Sequence, residues 1–183
     1  MPASLSTRAL QTLVQQLFPP SCFGCGTQVA GEIGLCAACW PKVYFLGDVV
    51  CQKCGAPVDG DTVDRDTICD DCTKTARLWA AGRAAIAYAE AGRDLVMALK
   101  HGDRHDIAVR ASVWLARTAR PLLVDNTVVI PVPLHWRRQL QRKFNQSAIL
   151  AQALAQRVNA DFDDRSLTRS RPTDAMQDKD LHR

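Results

Sequence analysis

Apolar residues Leu10, Leu13, Val14, Leu17 and Phe18 recur at the i, i+3, i+4, i+7, i+8 spacing of one helical face, and Pro19-Pro20 ends the run. An amphipathic helix over residues 6–18 follows. Its polar face is glutamine rather than lysine or arginine, which favours packing against the chain over lying on a membrane. Residues 84–88 read as a strand. Gly92 and Asp94 lead into a helix carrying Leu95, Val96 and Leu99, closed by Lys100-His101-Gly102. A second helix, from Asp103 to about Arg120, shows Ile107, Ala111, Trp114 and Leu115 on one face before Pro121 stops it. Val128, Val129 and Ile130 form a β-branched run halted by Pro131 and Pro133, which predicts a short buried strand. Beyond a basic loop, Asn145 is the expected N-cap of a helix with Ile149, Leu150, Ala153, Leu154 and Val158 on one face. Strands alternating with helices predict an α/β domain with a parallel sheet. Its expected core is Leu95, Leu99, Ile107, Trp114, Val129, Ile149 and Leu154.

Cysteine spacing adds a different kind of unit between these patterns. Cys22/Cys25, Cys36/Cys39, Cys51/Cys54 and Cys69/Cys72 are four C-x-x-C knuckles separated by ten, eleven and fourteen residues. Two intervening residues let one tight turn offer both sulfurs to one tetrahedral ion, and two turns complete a closed four-cysteine zinc site. Eight ligands make two sites. The simplest pairing puts Cys22, Cys25, Cys36 and Cys39 on one ion and Cys51, Cys54, Cys69 and Cys72 on the other. The spacing also admits an interleaved pairing of the first knuckle with the third. Gly24, Gly26 and Gly55 are placed to supply the positive φ that such turns use. A closed site leaves no position for substrate, so the zinc is expected to be structural. In small peptides it contributes roughly 10–16 kcal/mol of apparent binding energy. Loss of zinc is therefore expected to unfold residues 22–72 and leave the remainder largely unchanged.

At 183 residues and 47% hydrophobic, the chain suits one ordinary domain plus a small module. The N-terminus lacks the apolar core of a signal peptide, and no stretch is apolar enough to span a bilayer. A cytoplasmic location is expected, where reduced thiols favour metal over disulfides. The net charge of +4 is unevenly distributed. Residues 59–72 carry six aspartates against Arg65, while residues 73–183 carry 19 basic and 11 acidic groups. The acidic loop repels phosphate, so the ribbons read mainly as a scaffold or protein-contact module. The basic C-terminal portion suits phosphate-bearing partners.

The strongest local concentration of charge is Arg137, Arg138, Arg142 and Lys143, between the expected strand and the helix after Asn145. Strand, basic loop and helix N-terminus is the order of an anion site in α/β proteins. Trp136 is expected to anchor this loop on the sheet, the other role open to it being to stack a base. His101, His105, His135 and His182 read as loop or surface residues with no shared spacing. Asp163-Asp164 reads as a solvated turn.

Taken in order, these pieces resemble the ComF family, proteins with a phosphoribosyltransferase-type domain behind an N-terminal zinc ribbon, several of which take part in natural transformation. The pieces are the four knuckles from Pro19-Pro20-Ser21-Cys22, L-K-H-G at 99–102, V-I-P-V-P-L-H at 129–135, R-K-F-N-Q-S at 142–147, and R-x-R-x-T-x-x-x-Q at 169–177. The resemblance implies an N-terminal helix (1–20), a double four-cysteine zinc ribbon (21–75) and an incomplete type I phosphoribosyltransferase-like parallel-sheet domain (76–183). It implies that Arg137, Arg138 and Arg142 face phosphate oxygens, that Asn145 caps the next helix and that Lys100 joins the same anion pocket. Lys143 stands where the family has glycine, which narrows the loop or adds a charge. The family's acidic pair and Thr/Gly-rich loop, which hold ribose hydroxyls, Mg2+ and the 5-phosphate, have no counterpart before Arg183; the last glycine is Gly102.

The expectation is a C-terminally truncated relative, inactive as a transferase and without catalytic residues. Its complete parent would bind phosphoribosyl pyrophosphate with Mg2+ or another phosphorylated ligand in the service of DNA uptake. The alternative is a non-catalytic module whose zinc ribbons and basic region contact single-stranded DNA or a competence helicase.

Overall fold

The computed structural model describes residues 19–29, 34–60, 67–101, 104–142 and 144–172. The expected helix over 6–18, residues 61–66 of the acidic loop, Gly102, Asp103, Lys143, Gln177 and His182 lie outside them.

The N-terminal part is one ribbon built twice. The Cys22 N–H donates to the Thr27 carbonyl at 2.7 Å and the Gly26 N–H to the Cys22 carbonyl at 3.0 Å. Twenty-nine positions on, Cys51 donates to Ala56 at 2.8 Å and Gly55 to Cys51 at 2.8 Å. Antiparallel bridges Ser21/Gln28 and Val50/Pro57 flank the two turns. Gly26 and Gly55 take φ of +76° and +75°, as the turn requires. Gly24 serves otherwise, since a Cβ there would stand 3.0 Å from the Cys39 sulfur. A 3-10 turn, Trp40–Lys42, follows the first ribbon, and helix α1, Asp70–Lys74, carries the last cysteine of the second.

Four more helices and one small sheet follow: α2 (Glu90–His101), α3 (His105–Ala119), β1 (Val128–Val129), α4 (Trp136–Arg142), α5 (Gln146–Val158) and β2 (Asp161–Phe162). Helix α3 opens with Arg104 held in two 2.8 Å bonds to Asp106, an acid in the first turn where the helix dipole favours it. Pro121 ends it in a 3-10 turn, Arg120–Leu122. Helix α5 is capped by Asn145, whose side-chain oxygen accepts from the Ser147 N–H at 3.0 Å. Asn159, in the left-handed conformation, closes it. The buried positions of α3 and α5 include small residues, Ala108 and Ser112 on one and Ala151 and Ala155 on the other. Arg157 donates to the Ser112 hydroxyl at 2.7 Å across this seam.

Several expectations are corrected. Among the described residues the sheet has two parallel strands, β1 and β2, in a mostly helical region rather than an alternating α/β sheet. The run at 128–130 is not buried: Val128 is 47% and Ile130 40% exposed, because no third strand stands beside the short sheet among the described residues. Residues 84–88 form no strand. Ile86 makes a single bridge to Phe45, with Leu46 donating to Ala85 and Ala87 to Tyr44, and α2 begins at Glu90 before pairing extends. The basic segment after His135 is helix α4, not a loop.

The core spans both halves of the chain. Cys22, Phe23, Leu35 and Val43 from the ribbons form one buried cluster with Leu95, Ile107 and Trp114 from α2 and α3. Of the core expected from the sequence, Leu95, Ile107 and Trp114 are buried, while Leu99, Val129, Ile149 and Leu154 are only partly so. Trp114 meets Phe23 edge-on at 6.0 Å and Phe45 at 5.1 Å. Each such pair contributes about 0.5–1.5 kcal/mol beyond area burial. Arg110 adds a tie from α3, donating to the Ser21 carbonyl at 2.9 Å with its guanidinium over the Phe23 ring. No helix of the described residues is long and apolar enough to cross a membrane.

Candidate metal centres and a basic helix corner

The eight cysteines gather into two sets, Cys22/Cys25/Cys36/Cys39 and Cys51/Cys54/Cys69/Cys72, the sulfurs of each lying within 4.8 Å of one another. This is the sequential pairing, so the interleaved one is set aside. A tetrahedral zinc with bonds of about 2.3 Å places its sulfurs about 3.8 Å apart. Cys25 and Cys36 stand at 3.6 Å and Cys54 and Cys69 at 3.7 Å, so both sets fit zinc.

Local electrostatics differ from sulfur to sulfur. Burial works to raise the Cys22 thiol, but backbone N–H groups of Cys36, Cys25 and Gly24 outweigh it and bring it down to about 6. Cys51 is brought down to about 6 in the same way, by the N–H groups of Cys69, Cys54 and Lys53 against burial. The thiols of Cys25, Cys36 and Cys22 push Cys39 up to about 12. Burial, joined by the Cys72, Cys51 and Cys69 thiols, pushes Cys54 up to about 12. Four thiols crowded together resist holding four negative charges, and a bound dication removes that conflict.

The segment 77–83 straps the second centre. Arg77 Nε–H donates to the Cys72 sulfur at 3.3 Å, and the Trp79 indole donates to the Lys53 carbonyl at 2.8 Å. Gly82 lies against Cys54, where a Cβ would meet the Cys54 carbonyl carbon at 3.2 Å. Arg83 bonds the Gln52 carbonyl at 3.2 Å and the Gln52 side-chain oxygen.

The second region of interest is the N-terminal end of α5, where three distant motifs meet. Gln146 Nε2 donates to the Lys100 carbonyl at 3.1 Å, joining the end of α2 to the start of α5. Asn145 Nδ2 donates to the Val132 carbonyl at 3.1 Å, pinning the Pro-Val-Pro segment beside the same helix start. Phe144 meets His105 edge-on at 3.9 Å. Lys100 is exposed, and Arg137, Arg138 and Arg142 are presented by α4, with 138 and 142 one turn apart on the same face. Arg137 lies over the Trp136 ring at 5.3 Å.

Two side chains depart from expectation. Trp136, the first residue of α4, is 59% exposed rather than packed down as an anchor. His135 is 7% exposed rather than a surface residue. It stands immediately before α4, its Nδ1 accepting from the Arg137 N–H at 3.4 Å and its carbonyl from the Gln139 N–H at 3.0 Å. His135 closes the V-I-P-V-P-L-H motif, but that motif has no hydrophobic period from which the burial of its histidine can be read. Asp163 does form a turn, accepting from the Arg165 and Ser166 N–H groups at 2.8 and 3.1 Å.

A groove of about 1050 Å³ runs between the second ribbon and α3. Trp40, stacked on Phe45 at 4.5 Å, and Trp114 line it, together with Lys53, Arg83 and Arg117.

Residues 13–76 match the double zinc ribbon domain. The chain is 29% identical over 162 residues to the DNA utilization protein YhgH of Escherichia coli strain K12, an alignment covering 85% of this chain and 69% of that protein. The same protein from Shigella flexneri is 29% identical over 163 residues, and that from Salmonella typhi 29% over 162, with the same coverage. No solved structure matches. The chain carries a double zinc ribbon domain and is a distant relative of these DNA utilization proteins.

Proposed function

We propose that this chain is a ComF-like protein of the phosphoribosyltransferase type that serves DNA uptake, its two zinc centres acting as scaffold and its α4–α5 corner as part of a pocket for a phosphorylated ligand. The observation that carries this reading is the meeting of Lys100, Val132, Asn145 and Gln146 through two 3.1 Å hydrogen bonds. A backbone junction of that kind fixes the exposed end of α2, the Pro-Val-Pro segment and the basic helix α4 around one helix N-terminus. There, the positive end of the α5 dipole and the arginines of α4 favour phosphate oxygens. Phosphoribosyl pyrophosphate with Mg2+ is the ligand proposed, with Lys100, Arg137, Arg138 and Arg142 as its anion contacts and Asn145 as the residue that orders the corner. Magnesium, when bound with it, would neutralise pyrophosphate charge. The relationship to proteins named for DNA utilization supports the cellular role.

A second reading rests on the groove. Exposed Trp40 beside Lys53, Arg83 and Arg117 combines a stacking surface with cations, the pairing that holds single-stranded DNA without chemistry. Competition separates the two. Under the first reading, inorganic pyrophosphate displaces phosphoribosyl pyrophosphate and substitutions on α4 weaken it. Under the second, an oligonucleotide binds with a steep salt dependence set by Lys53 and Arg117.

A further inference from the structure

The two ribbons share their knuckle geometry, yet they part company five residues beyond the last cysteine. At that count the first ribbon has Tyr44, 65% exposed, and the second has Arg77 on the Cys72 sulfur. The described contacts of the first set include backbone N–H groups on the Cys22 sulfur, that of Cys36 at 3.3 Å, and the Thr27 hydroxyl 3.3 Å from Cys25, which is itself exposed.

We propose that Arg77 is a positioning residue of the second metal centre, donating to the Cys72 sulfur from outside the ligand set and making that centre the slower of the two to release its ion. Four thiolates on a dication leave a net charge of −2, and a guanidinium hydrogen-bonded to one sulfur offsets part of it where the charge sits. The guanidinium is itself braced. It lies 5.7 Å from the Trp79 ring centroid, within cation–π range, and the Trp79 N–H is fixed to the Lys53 carbonyl inside the opposite knuckle. Arg77 therefore links the two halves of the second cysteine set from outside the coordination sphere. The first ribbon has a tyrosine side chain turned to solvent at the same count.

This inference rests on reading both cysteine sets as zinc centres, and its test keeps the two apart. The intact chain and its Arg77→Ala, Arg77→Lys and Trp79→Phe variants are loaded with zinc, and metal is counted. Release to a chromophoric chelator is then followed while freed cysteines are alkylated and mapped by mass spectrometry. In the unsubstituted chain, the Cys22 set is alkylated first. Arg77→Ala speeds release from the Cys51 set by about 10–100-fold, the range typical of lost outer-sphere partners, and leaves the Cys22 set unchanged. Arg77→Lys restores part of the difference. With cobalt in place of zinc, the sulfur-to-metal charge-transfer band of one centre moves to lower energy in Arg77→Ala, as loss of an N–H···S bond requires, and stays in place in Trp79→Phe. Two metals per chain with release order and band unaltered in Arg77→Ala would overturn the role of Arg77 alone. No bound metal in the unsubstituted chain would overturn the zinc reading beneath it.

Discussion

The Gln146 side chain reaches the backbone carbonyl of Lys100 at 3.1 Å, closing a loop of 46 residues between the end of α2 and the start of α5. Gln146 is buried, so this bond is shielded from water. Replacing it by leucine keeps the volume but leaves the Lys100 carbonyl without this donor, at a cost of about 1–3 kcal/mol. Thermal unfolding of Gln146→Leu should show a midpoint lowered by several degrees with metal content unchanged. An unaltered midpoint would mean that the junction does not hold the corner together.

Phe23, Leu35 and Val43 of the ribbons share one core with Leu95, Ile107 and Trp114 of α2 and α3. Chelation should therefore do more than unfold the ribbons. Stripping zinc is predicted to reduce the helical circular dichroism signal and to shift tryptophan emission as Trp114 loses its edge-on contacts. Trp114→Ala, at about 3–5 kcal/mol, should do the converse and speed zinc loss. Retention of full helicity after chelation would restore the picture of two independent modules.

Gly26 and Gly55 occupy the same place in the two knuckles and have nearly the same φ, yet their surroundings differ. A Cβ at 26 meets nothing within 4 Å, whereas one at 55 would stand 2.8 Å from the Arg83 Cα and 2.9 Å from the Gly82 carbonyl oxygen. Gly26→Ala should cost only the backbone term, about 1–2 kcal/mol. Gly55→Ala must also push the strap off the second knuckle. Urea unfolding of the two variants is predicted to rank Gly55→Ala clearly below Gly26→Ala, with faster metal release from the second centre only.

The metal chemistry was legible because C-x-x-C spacing encodes a turn, and a turn fixes where two sulfurs point. Asn145 and Pro121 were legible for the same local reason, a cap and a stop. Trp114 was legible as a core residue but not as one that binds ribbon to helix, since periodicity marks a face and not what covers it. Helix α4 leaves no period in the sequence because Trp136 and Leu140, its apolar residues, are both exposed and form no buried stripe. It forms instead from residues of good helical propensity, Arg, Gln and Leu, behind the His135 cap. The exposure of Val128 and Ile130 could not be read from β-branched composition, which reports strand preference and not how many neighbours the strand has.

The most direct test of the proposed function is calorimetric titration of the zinc-loaded chain with phosphoribosyl pyrophosphate and Mg2+, beside its Arg137→Ala and Arg142→Ala variants. The account predicts saturable binding, displaced by inorganic pyrophosphate and weakened about tenfold or more by loss of either arginine, the fold-change of one charge-assisted hydrogen bond. Absence of saturable binding by the folded chain, or binding indifferent to both arginines, would contradict it.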